Sequence, residues 1–369
     1  MAGKYLDRTK VRSFPLRERG NRVSIERDKV EVGTPSEGLS PEAAQIAETT
    51  AADIAVARKR GAARILAFGA HAIKNGLGPV LIKLLEDGWL THLATNGAGI
   101  IHDWEIAFQG ETSEDVRKNV LEGRFGNWEE TGFFINLALN VGAWEGLGYG
   151  ESVGRMIERE SLFIPDKGEL LSACAEAADN PGRAAAAADL LGVIDEFSLD
   201  SGTMVIPHPF KRYSAQAAAA GLDASFTGHP MFGHDIIYNH SMNLGAAVGR
   251  CAERDFLRFA ASVADLEGGA YISVGSAVMS PMIFEKSLSM ARNIAFRESE
   301  TIRDFSITVV DLRPSGWDWS KGEPPLDSPD YYLRFNKTFA RMGARRFDYA
   351  AADNKAFLLA LEQALRGQR

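Results

Sequence analysis

The densest set of reactive side chains in the chain is Gly228-His229-Pro230-Met231-Phe232-Gly233-His234-Asp235-Ile236-Ile237-Tyr238-Asn239-His240. Imidazole and carboxylate groups gathered this closely can ligate a metal ion, or bind a polar ligand and move its protons. The spacing is not that of HExxH, and histidines that cap backbone groups or touch a ligand fit the segment as well. His102 is a second candidate, because its imidazole titrates near neutrality and can act as acid or base. Asp103 beside it is no partner, since adjacent residues of a helix do not share a face. The turn Thr95-Asn96-Gly97-Ala98-Gly99 is a third. Free N–H groups at the start of the helix that follows suit a phosphate, while the glycines also serve simply to turn the chain from strand to helix.

Each of these groups sits at or just beyond the end of a short apolar run. Ile65–Phe68 and Trp89–Ala94 both end in glycine-containing turns and give way to helical periodicity, the pattern of βαβ units and a parallel sheet. The first helix has Gly78 as a cap, Pro79 in its first turn and Gly88 as its stop, with Val80, Leu81, Leu84 and Leu85 on one face. Further strands are expected at Thr203–Pro207, Ala224–Thr227, Ala270–Val274, Ser306–Leu312 and Arg345–Tyr349, with helices between them. The fold class is therefore α/β, a doubly wound and mostly parallel sheet of about seven strands. Ligands of such sheets bind outside the carboxyl ends of the strands, where the turns and the histidine segment lie. Gly275-Ser276-Ala277, followed by Pro281, repeats the strand, small-residue turn and helix of the first unit.

Ser40-Pro41 opens a helix that runs to Arg60, and Lys355–Leu365 reads as an amphipathic C-terminal helix. Residues 1–39 form a basic arm that lies on the body or on a neighbouring subunit, or else a solvated tail, and residues 40–369 form a single domain. Residues 123–154, rich in glycine and aromatics, read as a flexible excursion that makes subunit contacts; no lysine follows as in a P-loop.

Bulk properties exclude several classes. With 49 acidic against 41 basic residues and a net charge of −8, the chain lacks the basic balance of a nucleic-acid binder. Two cysteines in unrelated contexts imply neither a disulfide framework nor a zinc finger. No apolar leader or span-length run is present, so a soluble, cytoplasmic protein with a small-molecule substrate is expected, with no nucleic-acid or membrane partner.

With these segments in order, the sequence resembles the deoxyhypusine synthase family over residues 40–365. Four local matches carry the resemblance. Ala70-His71-Ala72-Ile73-Lys74-Asn75-Gly76 sits on the family's Ser-Asn-Leu-Ile-Ser-Ser-Gly turn. Residues 94–103 resemble its Val-Thr-Thr-Ala-Gly-Gly-Val-Glu-Glu-Asp segment, which borders NAD. Residues 233–238 look like the end of its Asp-Gly-Ser-Leu-Gly-Asp-Met-Ile-Tyr loop, and Val274-Gly275-Ser276-Ala277-Val278 sits on its Leu-Gly-Gly-Gly-Val turn.

The resemblance implies a Rossmann-like NAD-binding fold of the deoxyhypusine synthase type, NAD as cofactor, and a homotetramer with sites between subunits. Gly69, Ala70, His71, Asn75, Gly76, Thr95, Asn96, Gly97, Ala98, Gly99, Gly275 and Ser276 would then hold NAD. Lys337, which ends Pro329-Asp330-Tyr331-Tyr332-Leu333-Arg334-Phe335-Asn336-Lys337, corresponds to the family's imine-forming lysine, with His102 or Asp235 assisting proton transfer. His229, His234, His240 and Asp318 are expected on the substrate side.

Ile101-His102 replaces the family's Glu-Glu, and Tyr331 replaces another Glu. A pocket that has lost anions binds a polycation weakly, so the expected substrate is an amine or hydroxy compound other than the family's polyamine. Two other readings stand beside this one. The first is a metal-dependent hydrolase or lyase using His229, His234, Asp235 and His240. The second is a non-catalytic NAD-binding protein.

Overall fold

In the computed structural model, which describes residues 4–368, six of the apolar runs form one sheet. Its strands are β1 (Arg64–Phe68), β2 (His92–Asn96), β3 (Ser225–His229), β4 (Ala270–Val274), β5 (Ser306–Asp311) and β6 (Arg346–Ala351). All neighbours are parallel, and the spatial order is β3-β2-β1-β4-β5-β6. That order reverses between β1 and β4, which creates a crevice at the carboxyl ends of those two strands. Every residue of β1 and β4 is buried, as expected for strands covered on both faces.

The helices that shape the site are α1 (Pro41–Arg60), α2 (Gly78–Glu86), α3 (Gly97–Gln109), α4 (Glu129–Glu145), α5 (Tyr149–Arg159), α6 (Gly245–Ala264), α7 (Met279–Arg297) and α8 (Asn354–Arg366). Side chains of β1 alternate between two cores. Leu66 and Phe68 join Ile54, Leu84, Trp104 and Phe357 from α1, α2, α3 and α8 on one face. Ile65 and Ala67 join Phe259, Val263, Phe284 and Leu288 from α6 and α7 on the other. Local signals set the helix ends. Ser40 Oγ accepts the Ala43 N–H at 3.1 Å, Pro41 stands in the first turn, and Gly61 closes α1 at φ +69°.

Three expectations are corrected. The run at Thr203–Pro207 is not in the main sheet: Gly202–Val205 pairs antiparallel with Ser161–Ile164 in a separate hairpin. Its Thr203 and Val205 are exposed, so it lacks the two buried faces a central parallel strand needs. Residues 123–154 are mostly helical rather than a flexible excursion, because glycines let α4 pack closely on α5 and α5 on the helix Ala215–Gly221. A Cβ on Gly142 would strike Ser152, and one on Gly154 the Gln216 carbonyl. Finally, the alternative of a solvated arm does not hold at residues 21–24. Glu111–Glu114 pairs with Asn21–Ser24 of the arm, and Asp115 alone caps the next helix through the Lys118 N–H at 3.1 Å. The arm is thus stitched into the body at Asn21–Ser24.

Candidate functional site

β2, β1 and β4 are neighbours, so the turns after Phe68, Thr95 and Val274 lie side by side on one rim. The turns after β1 and β4 touch. Gly69 donates its N–H to the Val274 carbonyl at 3.0 Å, and a Cβ on Gly69 would collide with the Gly275 carbonyl oxygen. Gly275 itself adopts φ +59°, with the Asn354 carboxamide where its side chain would be. Both positions therefore require glycine. These two turns stand at the switch point where doubly wound sheets take their ligands, and their glycines are required by the contact of Gly69 with Gly275 and of Gly275 with Asn354.

The turn after β2 has another use. Thr95 Oγ1 donates to the Phe68 carbonyl at 2.9 Å, and Gly99 packs directly on Thr95. Asn96 Oδ1 accepts the Gly99 N–H at 2.9 Å, and the Asp235 carboxylate occupies the space where a Gly97 side chain would go. Of the N–H groups that read in sequence as a phosphate seat, that of Gly99 is thus taken by the chain's own acceptor. Gly76 also serves the arm: its carbonyl accepts the Val30 N–H at 3.0 Å, and its φ of +74° lets it pass the Asp28 carbonyl.

Beside α3 lies a cavity of about 310 Å³. Its walls come from Lys74 after β1, Ala98, Ile101, His102 and Glu105 of α3, His234 and Asp235 after β3, and Arg19 and Arg22 of the arm. Glu105 is the buried anchor. It forms two 2.7 Å bonds with the Arg19 guanidinium and accepts the hydroxyls of Thr112 at 2.6 Å and Thr131 at 3.0 Å. Burial pushes the Glu105 carboxyl up, but Arg19 more than offsets this and holds it below the ordinary range. His102 Nδ1 meets Thr112 Oγ1 at 2.6 Å, and burial, opposed by Glu105, pushes its imidazole down to about 4. His102 is therefore neutral at pH 7. Among the described residues Lys74 has no ion-pair partner.

Asp235 is a further perturbed group of the cavity. Burial pushes its carboxyl up to about 7, against the opposing effect of a backbone bond from Met231, and its Oδ2 has no hydrogen-bond partner. The buried hydroxyls of Tyr149 and Tyr238 are likewise unpartnered; burial and then the Asp235 charge raise both. A carboxyl that is half ionised at neutral pH suits general acid–base work. It also has a stability signature. An unfolded aspartate titrates near about 3.9, so between that pH and 7 the folded chain keeps a proton the unfolded chain has lost. The contribution is complete below about pH 4 and is lost as pH rises through 7. Asp235→Asn should melt higher than the parent at pH 8 and equally at pH 4; identical melting at pH 8 would show a solvated carboxyl.

The other expected site residues disperse. His229 ends β3 and bonds Thr227 Oγ1 at 2.9 Å. His240 Nδ1 accepts the Met242 N–H at 3.0 Å and its ring faces Phe133 and Phe197. His234 is exposed on the loop. Among the described residues no three His, Cys, Asp or Glu side chains converge as a metal would require. Asp318 is exposed and accepts the Ser320 hydroxyl at 2.6 Å. Lys337 is carried between β5 and β6, where its ammonium lies 3.7 Å from the centre of the Tyr331 ring, and it does not line the cavity. Sequence reasoning missed Arg19, Glu105 and Tyr149, and took in Tyr238 only as part of the histidine segment. Only Glu105 left a signal, its i,i+3 position relative to His102 on one helix face.

No helix among the described residues is long and apolar enough to cross a membrane. No family model matches the chain, and no curated protein matches it. Among solved structures, unliganded AgrE is similar over 90% of this chain and 34% of its own, at 12% identity and a TM-score of 0.49. The ternary complex of AgrE with ornithine and NAD+ is similar over 92% of this chain and 34% of its own, at 11% identity and a TM-score of 0.44. A conserved putative LOR/SDH protein from Methanococcus maripaludis S2 is similar over 92% of this chain and 73% of its own, at 13% identity and a TM-score of 0.43. This chain thus spans about a third of the length of AgrE. None of the three carries the name deoxyhypusine synthase, and at these identities the likeness is one of chain course alone.

Proposed function

We propose that the protein is an NAD-dependent enzyme that oxidises a small amine or hydroxy compound. The dinucleotide would lie over the β1–β4 crevice, held by Gly69, Ala70, His71, Gly275 and Ser276, and the substrate would enter the cavity beside α3. The observation that carries this reading is the reversal of strand order between β1 and β4, with a buried carboxyl against the turn that follows the adjoining strand β2. When bound, NAD supplies a hydride acceptor. The chain must then take up the proton that the substrate's oxygen or nitrogen releases. Asp235 suits that task, because its carboxyl exchanges a proton near pH 7 and its Oδ2 is free of competing bonds. His102, neutral and oriented by Thr112, offers its Nε2 as a hydrogen-bonding group toward the ligand.

The test is a thermal-shift series on the full chain with NAD, NADP, polyamines and divalent metals. Ligand at a hundred times its dissociation constant adds about 2.7 kcal/mol of stability, so NAD should raise the melting temperature by several degrees. A shift with zinc or manganese and none with NAD would overturn the reading. The deoxyhypusine synthase resemblance adds a finer step, transfer through an imine on Lys337. Lys337→Ala should leave NAD binding intact, and borohydride reduction in the presence of an oxidised amine should label the parent chain only if that step occurs.

A further inference from the structure

A buried chain of side chains runs through the sheet on the side away from the cavity. His92, the first residue of β2, has Nδ1 2.7 Å from Ser262 Oγ of α6 and Nε2 2.8 Å from Thr227 Oγ1 of β3. Thr227 Oγ1 is in turn 2.9 Å from His229 Nε2. His92 and Thr227 are fully buried, and His229 is 7% exposed at the carboxyl end of β3. The Phe259 ring stands edge-on to both imidazoles, 5.5 and 5.4 Å away, and closes the chain off from one side. Burial pushes both imidazoles down to about 3, so each is neutral, with one donor and one acceptor nitrogen.

These bonds differ from those of the other buried histidines. His208 Nδ1 faces the Ile206 carbonyl at 2.7 Å and must donate; His240 Nδ1 faces the Met242 N–H and must accept. Every member of the His92 chain is an imidazole or a hydroxyl that can do either. Nothing among the described residues pins its direction, and no described group bonds His229 Nδ1.

We propose that Ser262, His92, Thr227 and His229 form a proton relay between the half-buried end at Ser262 and the carboxyl-end rim of the sheet. In one polarisation Ser262 donates to His92 Nδ1, His92 Nε2–H to Thr227, Thr227 to His229 Nε2, and His229 keeps its proton on Nδ1. In the other every bond is reversed and Nδ1 is bare. When His229 takes a proton at Nδ1 it releases the one on Nε2 to Thr227. Thr227 passes its own to His92 Nε2, His92 passes the one on Nδ1 to Ser262, and Ser262 gives one to water. No charge stays on the relay. Each passage leaves it inverted and ready to run the other way, which suits a cycle that alternately takes up and returns one proton. The use of the relay rests on the oxidation proposed above; its existence is tested without cofactor or substrate.

The experiment is nitrogen-15 NMR of the full chain labelled at histidine, reading the tautomers of His92 and His229. The relay requires both tautomers at both rings, in opposite and linked populations. Ser262→Ala, which removes a hydroxyl bonded among the described residues only to His92, should change the His229 tautomer ratio at least twofold. Thr227→Val should unlink the two rings, and Thr227→Ser should restore the link. Rings locked in a single tautomer in the parent, or a His229 ratio unmoved by Ser262→Ala, would show a static network and end the proposal. Ser262→Ala lies on a half-buried helix position where alanine favours the helix, so it stays informative if the Thr227→Val chain does not fold.

Discussion

Arg19→Ala should destabilise the protein by about 3–5 kcal/mol, measured by urea unfolding at pH 7, because it strands a buried carboxylate without its partner. The side chains of Arg19 and Glu105 are 2% and 1% exposed, so water cannot replace the guanidinium. That loss is a large share of the about 5–15 kcal/mol that holds a typical domain together. Its sign with pH follows from Glu105, whose carboxyl Arg19 holds below the ordinary range despite burial. The contribution is present above the unfolded glutamate value of about 4.3 and is lost as pH falls through the lower folded value. The gap between parent and variant should therefore narrow in acid. Adding Glu105→Gln to Arg19→Ala should recover part of the stability, since the stranded group is then uncharged. A cost under about 1 kcal/mol, the range of an exposed pair, would mean that the arm does not stay docked in solution.

Gly69→Ala should abolish the stabilisation by NAD. The new methyl would meet the Gly275 carbonyl oxygen, a backbone atom that cannot swing aside, so the carboxyl ends of β1 and β4 must part. The ligand-free variant should melt lower than the parent, and saturating NAD, worth about 2.7 kcal/mol at a hundred times the dissociation constant, should not restore it. Gly249→Ala is the control. Gly249 lies within α6 with nothing within 4 Å of an added Cβ, so alanine there should stabilise by up to about 1 kcal/mol and leave the NAD shift intact. A Gly69→Ala chain that keeps the full NAD shift would move the cofactor away from this crevice.

These two sites differ in how far they could be read from residues alone. The turn after β1 is local: an apolar run, a glycine and a helix with proline in its first turn announce it. The Arg19–Glu105 pair is not local, since the arm carries many arginines and periodicity distinguishes none of them. The histidine segment shows the same limit. Its composition suggests convergence, yet the backbone after β3 sends His229 back to Thr227 and His240 to the Met242 N–H, and leaves only His234, Asp235 and Ile236 of the segment on the cavity wall, His234 at its exposed edge.

By itself the sequence determined the strands of the main sheet and the ends of α1 and α2, because hydrophobic period, caps and glycine or proline stops act over a few neighbouring residues. Tertiary structure alone decided what stands at the start of α3. There the Asp235 carboxyl from the loop after β3 fills the space a side chain on Gly97 would take, because packing brings it against a residue with none. It also decided which charges are buried together, since the cost of removing a charge from water depends on every element that closes around it.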